Sequence, residues 1–335
     1  MGLTSQLAAV LLREHRYRPI EGTLLSIGRQ TAFFSPAEAV ALVTHELGLP
    51  ALVPEHALEI DAKTLGSAGQ PFVSDRAFYS LFSHAEYRCL DISAYEGADI
   101  IANLCAPIDP ALEGRFDFIF DGSCLDNIFD PAAAIRNLAR MLKPGGRIIH
   151  VDRASRRHNV YVAFALSWFH DFYAVNDFAD CQVYLAQWDG EQPQARWDFY
   201  HYEPAQMRNG QLTYFGQDRW YHPWREAHAV VIAEKGMRSS SDRSPVQFEY
   251  RPNIRFVDVG GKREIAPQTV SEDGSDPYVA SAMRFQRSGR PLLLRPDEKA
   301  PIPKEILYYS PETTYCGSIF PLAEHLGRRP LNRRE

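Results

Sequence analysis

Residues 116–151, FDFIFDGSCLDNIFDPAAAIRNLARMLKPGGRIIHV, constrain what this chain folds into more than any other stretch. Phe116 to Phe120 is a short apolar run after Gly114, the pattern of a strand buried on both faces. Asp130 is placed to cap a helix, with Pro131 at the first helical position, where its missing N–H costs nothing. Ala132, Ile135, Leu138, Ala139 and Leu142 recur at helical spacing and predict one face packed on a sheet. Lys143-Pro144-Gly145-Gly146 ends the helix and reverses the chain, and Ile148 to Val151 reads as the next strand. Such a crossover builds an open parallel sheet, which binds ligands beyond the carboxyl ends of its strands.

The flanking sequence continues the alternation. Ser5–His15 predicts an amphipathic helix, and Thr23–Gly28 a first strand with its turn. Ser35-Pro36-Ala37-Glu38 is a capping box with proline at the first helical position, opening a helix that stops near Gly48. Ser74-Asp75-Arg76-Ala77 opens another, through Phe82. Tyr87–Ile92 and Ala98–Leu104 read as the second and third strands. An aromatic-rich helix is expected from about Val162 to Tyr173, a sixth strand over Gln182–Gln187, and a last one over Ala229–Glu234. The expected fold is α/β: a Rossmann-like, doubly wound, mostly parallel sheet of about seven strands, the last antiparallel. Residues 1–236 form this domain. Residues 237–335, rich in Pro, Gly and charge, read as an irregular or partly disordered extension without a large core of its own.

Composition narrows the function classes. A formal net charge of −6 gives no reason to expect nucleic acid or an anionic membrane as partner. The apolar run Leu7–Leu12 is far too short to span a bilayer, and the Arg and His after it do not resemble a cleavage site. The Met-Gly start lacks Ser or Thr at position 6, so the myristoylation pattern fails. The five cysteines form no C-x-x-C pair, so free thiols in a reducing cytoplasm and no metal site are expected.

The run LDISAYEGADIIANLCAPI, then FDFIFDGSCLDNIF, then LKPGGRIIHV resembles the second to fifth strands of class I S-adenosylmethionine-dependent methyltransferases. His158–Trp188 is similar to the part after the fifth strand in members linked to surface-glycan and other small-molecule pathways. The resemblance covers roughly Gly22 to Gly236. It implies S-adenosylmethionine as cofactor, lying across the carboxyl ends of strands one to four. By resemblance, Gly28 is the first glycine of the loop after strand one, where the backbone must approach the cofactor closely. Asp91 matches the acid that accepts hydrogen bonds from the ribose hydroxyls. Asn103 and Leu104 fall where the family contacts adenine. Asp121 and Ser123 follow strand four, facing the departing methyl group. Two positions depart from the family: Ser26 replaces an acidic residue, and Gln30 replaces the second glycine yet keeps its place beside the cofactor.

The implied reaction is methyl transfer to a small-molecule acceptor, with a sugar or glycan-precursor hydroxyl as the leading candidate. A hydroxyl acceptor needs a general base, and His158, after strand five, is the candidate. Arg153, Arg156 and Arg157 read either as anchors for an acceptor phosphate or as a solvated basic loop. The run Trp220–Trp224 reads either as a sugar-stacking surface or as a packed lid. A homo-oligomer is compatible with the extension. The alternative is a non-catalytic scaffold that keeps the fold with an altered glycine loop. A nicotinamide oxidoreductase would want G-x-G-x-x-G after strand one, where this chain has a single glycine.

Overall fold

In the computed structural model the described residues are 2–155, 160–188, 196–208, 211–214, 226–247, 250–251, 256–259, 262–265, 277–290 and 313–322. The chain opens with α1 (Ser5–Tyr17), β1 (Thr23–Ile27), α2 (Pro36–Leu47) and α3 (Asp75–Ser80). It continues with β2 (Glu86–Asp91), β3 (Ile100–Ile101), β4 (Phe116–Asp121), α4 (Pro131–Met141), β5 (Leu142–Arg153), α5 (Leu166–Val175) and β6 (Asp180–Trp188). Then come β7 (Trp197–Tyr202), the small hairpin β8 (Ala205–Arg208) and β9 (Gln211–Tyr214), and β10 (Glu226–Glu234). A second hairpin, β11 (Phe256–Val259) and β12 (Lys262–Ile265), precedes α6 (Pro277–Gln286) and β13 (Thr313–Ile319).

Nine strands form one sheet in the order β13-β7-β6-β10-β5-β4-β1-β2-β3. The half from β3 to β5 is parallel throughout. β10 returns antiparallel between β5 and β6. This is the expected Rossmann-like sheet with two more strands than expected. β7 and β13 both add to the β6 edge, and β13 comes from beyond residue 236. Tyr200 of β7 meets Tyr315 of β13, a pairing of partners too distant in sequence for local pattern to reveal.

Local chemistry explains the helices. The Ser35 hydroxyl accepts from the Glu38 N–H at 3.3 Å, while the Glu38 carboxylate accepts from the Ser35 N–H at 2.8 Å. Gly48 closes α2 in the left-handed conformation, φ 69°. Asp130 caps α4 by accepting from the Ala133 N–H at 3.0 Å. β3 is shorter than expected, and just before it the Asp99 carboxylate accepts from the Cys89 N–H at 2.8 Å.

The sheet has two apolar faces. On one, Leu24, Phe118, Ile149 and Val151 pack with Leu7, Leu11, Leu42 and Phe78 from α1, α2 and α3. On the other, Leu25, Ile119 and Ile148 pack with Ile135, Leu138, Phe169 and Val279 from α4, α5 and α6. Helices on both faces leave the carboxyl edge of the parallel strands as the open rim. None of the described helices is long and apolar enough to cross a membrane.

Candidate active site

Register places the candidate residues in one row along that rim. Ile27 of β1 pairs with Leu90 of β2 on one side and Asp121 of β4 on the other, and Asp121 pairs with His150 of β5. Asp91 therefore ends β2, while Gly28 and Gly122 follow the ends of the adjacent β1 and β4. The order reverses between β1 and β4, which is where open α/β sheets form their binding crevice.

Gly28 has φ 69° and donates its N–H to the Leu90 carbonyl at 2.8 Å. A Cβ at this position would meet only Asp91 Oδ2, at 3.7 Å. The glycine thus opens a cradle with a carboxylate on its wall. Asp91 is half-buried, and its Oδ1 accepts from the Ser93 N–H at 3.2 Å. The Ala102 N–H donates to the Asp91 carbonyl at 2.9 Å, which brings the next two residues alongside. Asn103 is exposed, and its Oδ1 accepts from the Cys105 N–H at 2.9 Å. Leu104 is buried beneath it.

The loop after β1 is held by Asp75, the first residue of α3. Its fully buried carboxylate receives Arg29 Nη2 at 2.6 Å, the Gln30 N–H at 2.9 Å and the Tyr87 hydroxyl at 2.7 Å. Burial alone would lower the Arg29 pKa, but its bonds to Asp75 outweigh that and raise it. Arg29 is thereby committed to the loop itself. The Gln30 side chain folds back over Gly122. Nothing in the sequence marks Asp75 as more than a helix-start residue.

Behind the β4 loop lies a buried polar array. His150 Nδ1 stands 2.8 Å from Asp121 Oδ2 and Nε2 stands 2.5 Å from the Tyr173 hydroxyl. An Nδ1–H donating to the carboxylate leaves Nε2 to accept from Tyr173. Asp121 Oδ1 accepts from the Cys124 N–H at 2.9 Å. Ser123, at φ 71°, donates its hydroxyl to Asp126 Oδ2 at 2.6 Å, and Asp126 also takes the Arg153 N–H at 3.0 Å. Asp152 is wholly buried, and burial, with Asp121 and Asp126 beside it, pushes its carboxyl pKa well up. Ligand-capable atoms of Asp121, His150 and Asp152 lie within 4.8 Å of one another. Asp121 and Ser123 therefore turn their polar atoms inward, where they brace the loop at the rim.

His158, Arg156, Arg157 and the Trp220–Trp224 run lie outside the described residues. Arg153 bonds Glu226 at 2.8 Å.

The family model described as a methyltransferase domain matches residues 78–150, from α3 to the middle of β5. Over this segment the chain is similar to a methyltransferase domain. The methyltransferase match takes in Asp91, Asn103, Leu104, Asp121 and Ser123 and leaves Gly28 and Gln30 upstream of it. Among solved structures, the citrinin polyketide synthase CMeT domain is 12% identical, with TM-score 0.30, over 64% of this chain and 47% of that one. Phosphoethanolamine N-methyltransferase 2 from Haemonchus contortus, solved with S-adenosylmethionine, is 13% identical, with TM-score 0.30, over 52% of this chain and 37% of that one. The YcgJ protein from Bacillus subtilis is 14% identical, with TM-score 0.33, over 68% of this chain and 98% of that one. The chain spans less than half the length of the first two. No curated protein sequence matches the chain.

Proposed function

We propose that the chain transfers a methyl group from S-adenosylmethionine to a small-molecule acceptor, a hydroxyl of a sugar or glycan precursor. The observation that carries this reading is the Asp91 carboxylate on the wall of the Gly28 cradle, at the switch point of a parallel sheet. An absent side chain admits close approach of a nucleoside, and a half-exposed carboxylate offers paired acceptors to a vicinal diol. Asn103 supplies an amide for the edge of a base, and Leu104 an apolar floor.

When bound, the cofactor supplies an electrophilic methyl group on a sulfonium. The protein's part is alignment within a shaped site, which accounts for much of the acceleration in such displacements. The β4 loop, anchored through Asp121, Ser123 and Asp126, gives one rigid wall. Beside this loop Phe129 and Tyr161, whose N–H donates to the Asp126 carbonyl at 2.8 Å, form an exposed edge-to-face pair, 5.9 Å between ring centres. Their apolar faces suit a sugar ring. His158 serves as general base for the acceptor hydroxyl in this reading.

Calorimetric titration with S-adenosylmethionine and S-adenosylhomocysteine tests the assignment. Micromolar binding that disappears in Asp91→Ala supports the transferase. A folded sample that gives no heat supports the scaffold instead, a reading favoured by the Gln30 side chain lying in the crevice.

A further inference from the structure

The long connection from α2 to α3 carries a strap. The antiparallel bridge between Ile60 and Val73 pinches it off, and the Asp61 N–H closes its base by donating to the Phe72 carbonyl at 2.8 Å. Between Asp61 and Phe72 only Thr64 and Ser67 are buried, and both are polar. A segment that buries no apolar side chain opens at far lower free energy than the core beside it.

The bonds of this strap divide into an inner and an outer set. Inside, the Asp61 carboxylate accepts from the Lys63 N–H at 2.9 Å and from the Thr64 hydroxyl, and the Thr31 hydroxyl donates to Thr64 Oγ1 at 2.8 Å. Asp61, Thr64 and Thr31 are all buried. Outside, the Leu65 N–H donates to Glu96 Oε1 at 3.0 Å, an exposed bond. The exposed Lys63 lies over Gly97, where a Cβ would stand 3.3 Å from its Cδ. The Glu96 carbonyl in turn accepts from Arg29 Nη1 at 3.3 Å. Thr31 stands three residues after Gly28, and Glu96 five after Asp91. The strap therefore joins the two loops that leave the cradle, with a buried pivot on the first and a solvent-exposed latch on the second. Water competes for an exposed bond, so the latch is the contact that breaks most easily.

We propose that residues 61–72 gate ligand exchange at the Gly28–Asp91 cradle, turning on the Thr31–Thr64 contact and latched by the Leu65 N–H on Glu96. The inference rests on the nucleoside reading of that cradle, and the following experiment separates the two. Association and dissociation rates of S-adenosylhomocysteine are measured by stopped flow on the full-length protein. Glu96→Ala removes the latch and raises both rates by about threefold to tenfold, with the dissociation constant unchanged within about twofold. Glu96→Gln keeps an amide oxygen for the same bond and keeps native rates. Leu65 opens a short 3-10 turn after an extended Thr64, a position where proline fits. Leu65→Pro deletes the donor alone and speeds both rates as Glu96→Ala does. The double variant is no faster than either single one, because both break one bond. If the native protein binds S-adenosylhomocysteine and the folded Glu96→Ala and Leu65→Pro proteins keep the native association rate, the gate is overturned and the cofactor reading stands. A change confined to the dissociation rate also overturns it, since the bond then only steadies the loop after Asp91. If the folded native protein does not bind S-adenosylhomocysteine, the cofactor reading falls and the gate with it.

Discussion

The Arg29 guanidinium and the Asp75 carboxylate form a buried ion pair, Nη2 to Oδ1 2.6 Å, with side chains 5% and 0% exposed. The pair ties the loop after β1 to the start of α3, 46 residues further along. A buried pair contributes little net energy compared with apolar residues of the same shape, but losing one partner strands the other charge. Asp75→Asn is expected to destabilise the fold by about 3–5 kcal/mol in urea unfolding. It should also weaken nucleoside binding, because the Gln30 N–H and the Tyr87 hydroxyl lose the same anchor. A loss below about 0.5 kcal/mol, the range of an ordinary surface substitution, would show that the pair does not hold the loop.

Asp91 offers the opposite case, binding without stability. It is half-buried, and its carboxylate makes a hydrogen bond to the Ser93 N–H at 3.2 Å. Asp91→Ala should leave the melting temperature within a few degrees of native. The same change should raise the dissociation constant for S-adenosylhomocysteine by about 10- to 100-fold, the cost of losing hydrogen bonds to a charged acceptor. Unchanged affinity in a folded variant would remove Asp91 from the site.

Asp152 sets a pH dependence whose sign is fixed by burial. Its folded-state pKa lies well above the ordinary 3.8 because the carboxylate is desolvated and faces Asp121 and Asp126. Below the ordinary value both states are protonated, and the group contributes no slope. Above it the unfolded chain ionises while the folded one keeps the proton. Stability therefore falls as pH rises toward the folded pKa, by about 1.4 kcal/mol per unit from this group. Asp152→Asn keeps a donor for Asp121 and cannot ionise. Urea unfolding should show the variant close to native at about pH 4 and more stable than native at about pH 8. A variant less stable at the higher pH would mean that the carboxylate is ionised in the fold.

The features legible in the sequence were those settled within a few residues. The Ser35–Glu38 box and the Asp130 cap act over one helical turn, and both sit as their spacing predicts. The closeness of Gly28 to Asp91 followed from strand order, since β1 and β2 are neighbours in any sheet of this type. Asp75 escaped because Ser74-Asp75 is a complete helix start by itself, and its partners Arg29 and Tyr87 are fixed only by tertiary packing. Gln30 read as a replaced glycine, whereas its fold-back over Gly122 depends on β4. The bonding of both His150 ring nitrogens, to Asp121 and Tyr173, depends on packing between β4, β5 and α5 and is not written in local spacing. β13 was hidden because its partner β7 lies more than a hundred residues away in the chain.

Arg290, just after α6, tests what the region beyond residue 236 does for the domain. Its guanidinium lies 2.5 Å from Glu14 of α1, 2.6 Å from Asp180 of β6 and 4.4 Å above the Tyr17 ring, and its side chain is 2% exposed. Asp180 begins a strand that runs with β5, so this cluster sits at the amino edge of the sheet, away from Gly28 and Asp91. Burial raises the Glu14 pKa even with Arg290 and Arg147 both beside it, so the two guanidinium groups offset its desolvation only in part. Removing one of them makes that shortfall worse. Arg290→Met keeps most of the apolar stem and should cost about 3 kcal/mol in urea unfolding, the low end for a broken buried pair, because Glu14 keeps Arg147. Nucleoside affinity should stay native, since nothing at the carboxyl rim touches the cluster. A weakened affinity at native stability would instead place Arg290 in communication with the site.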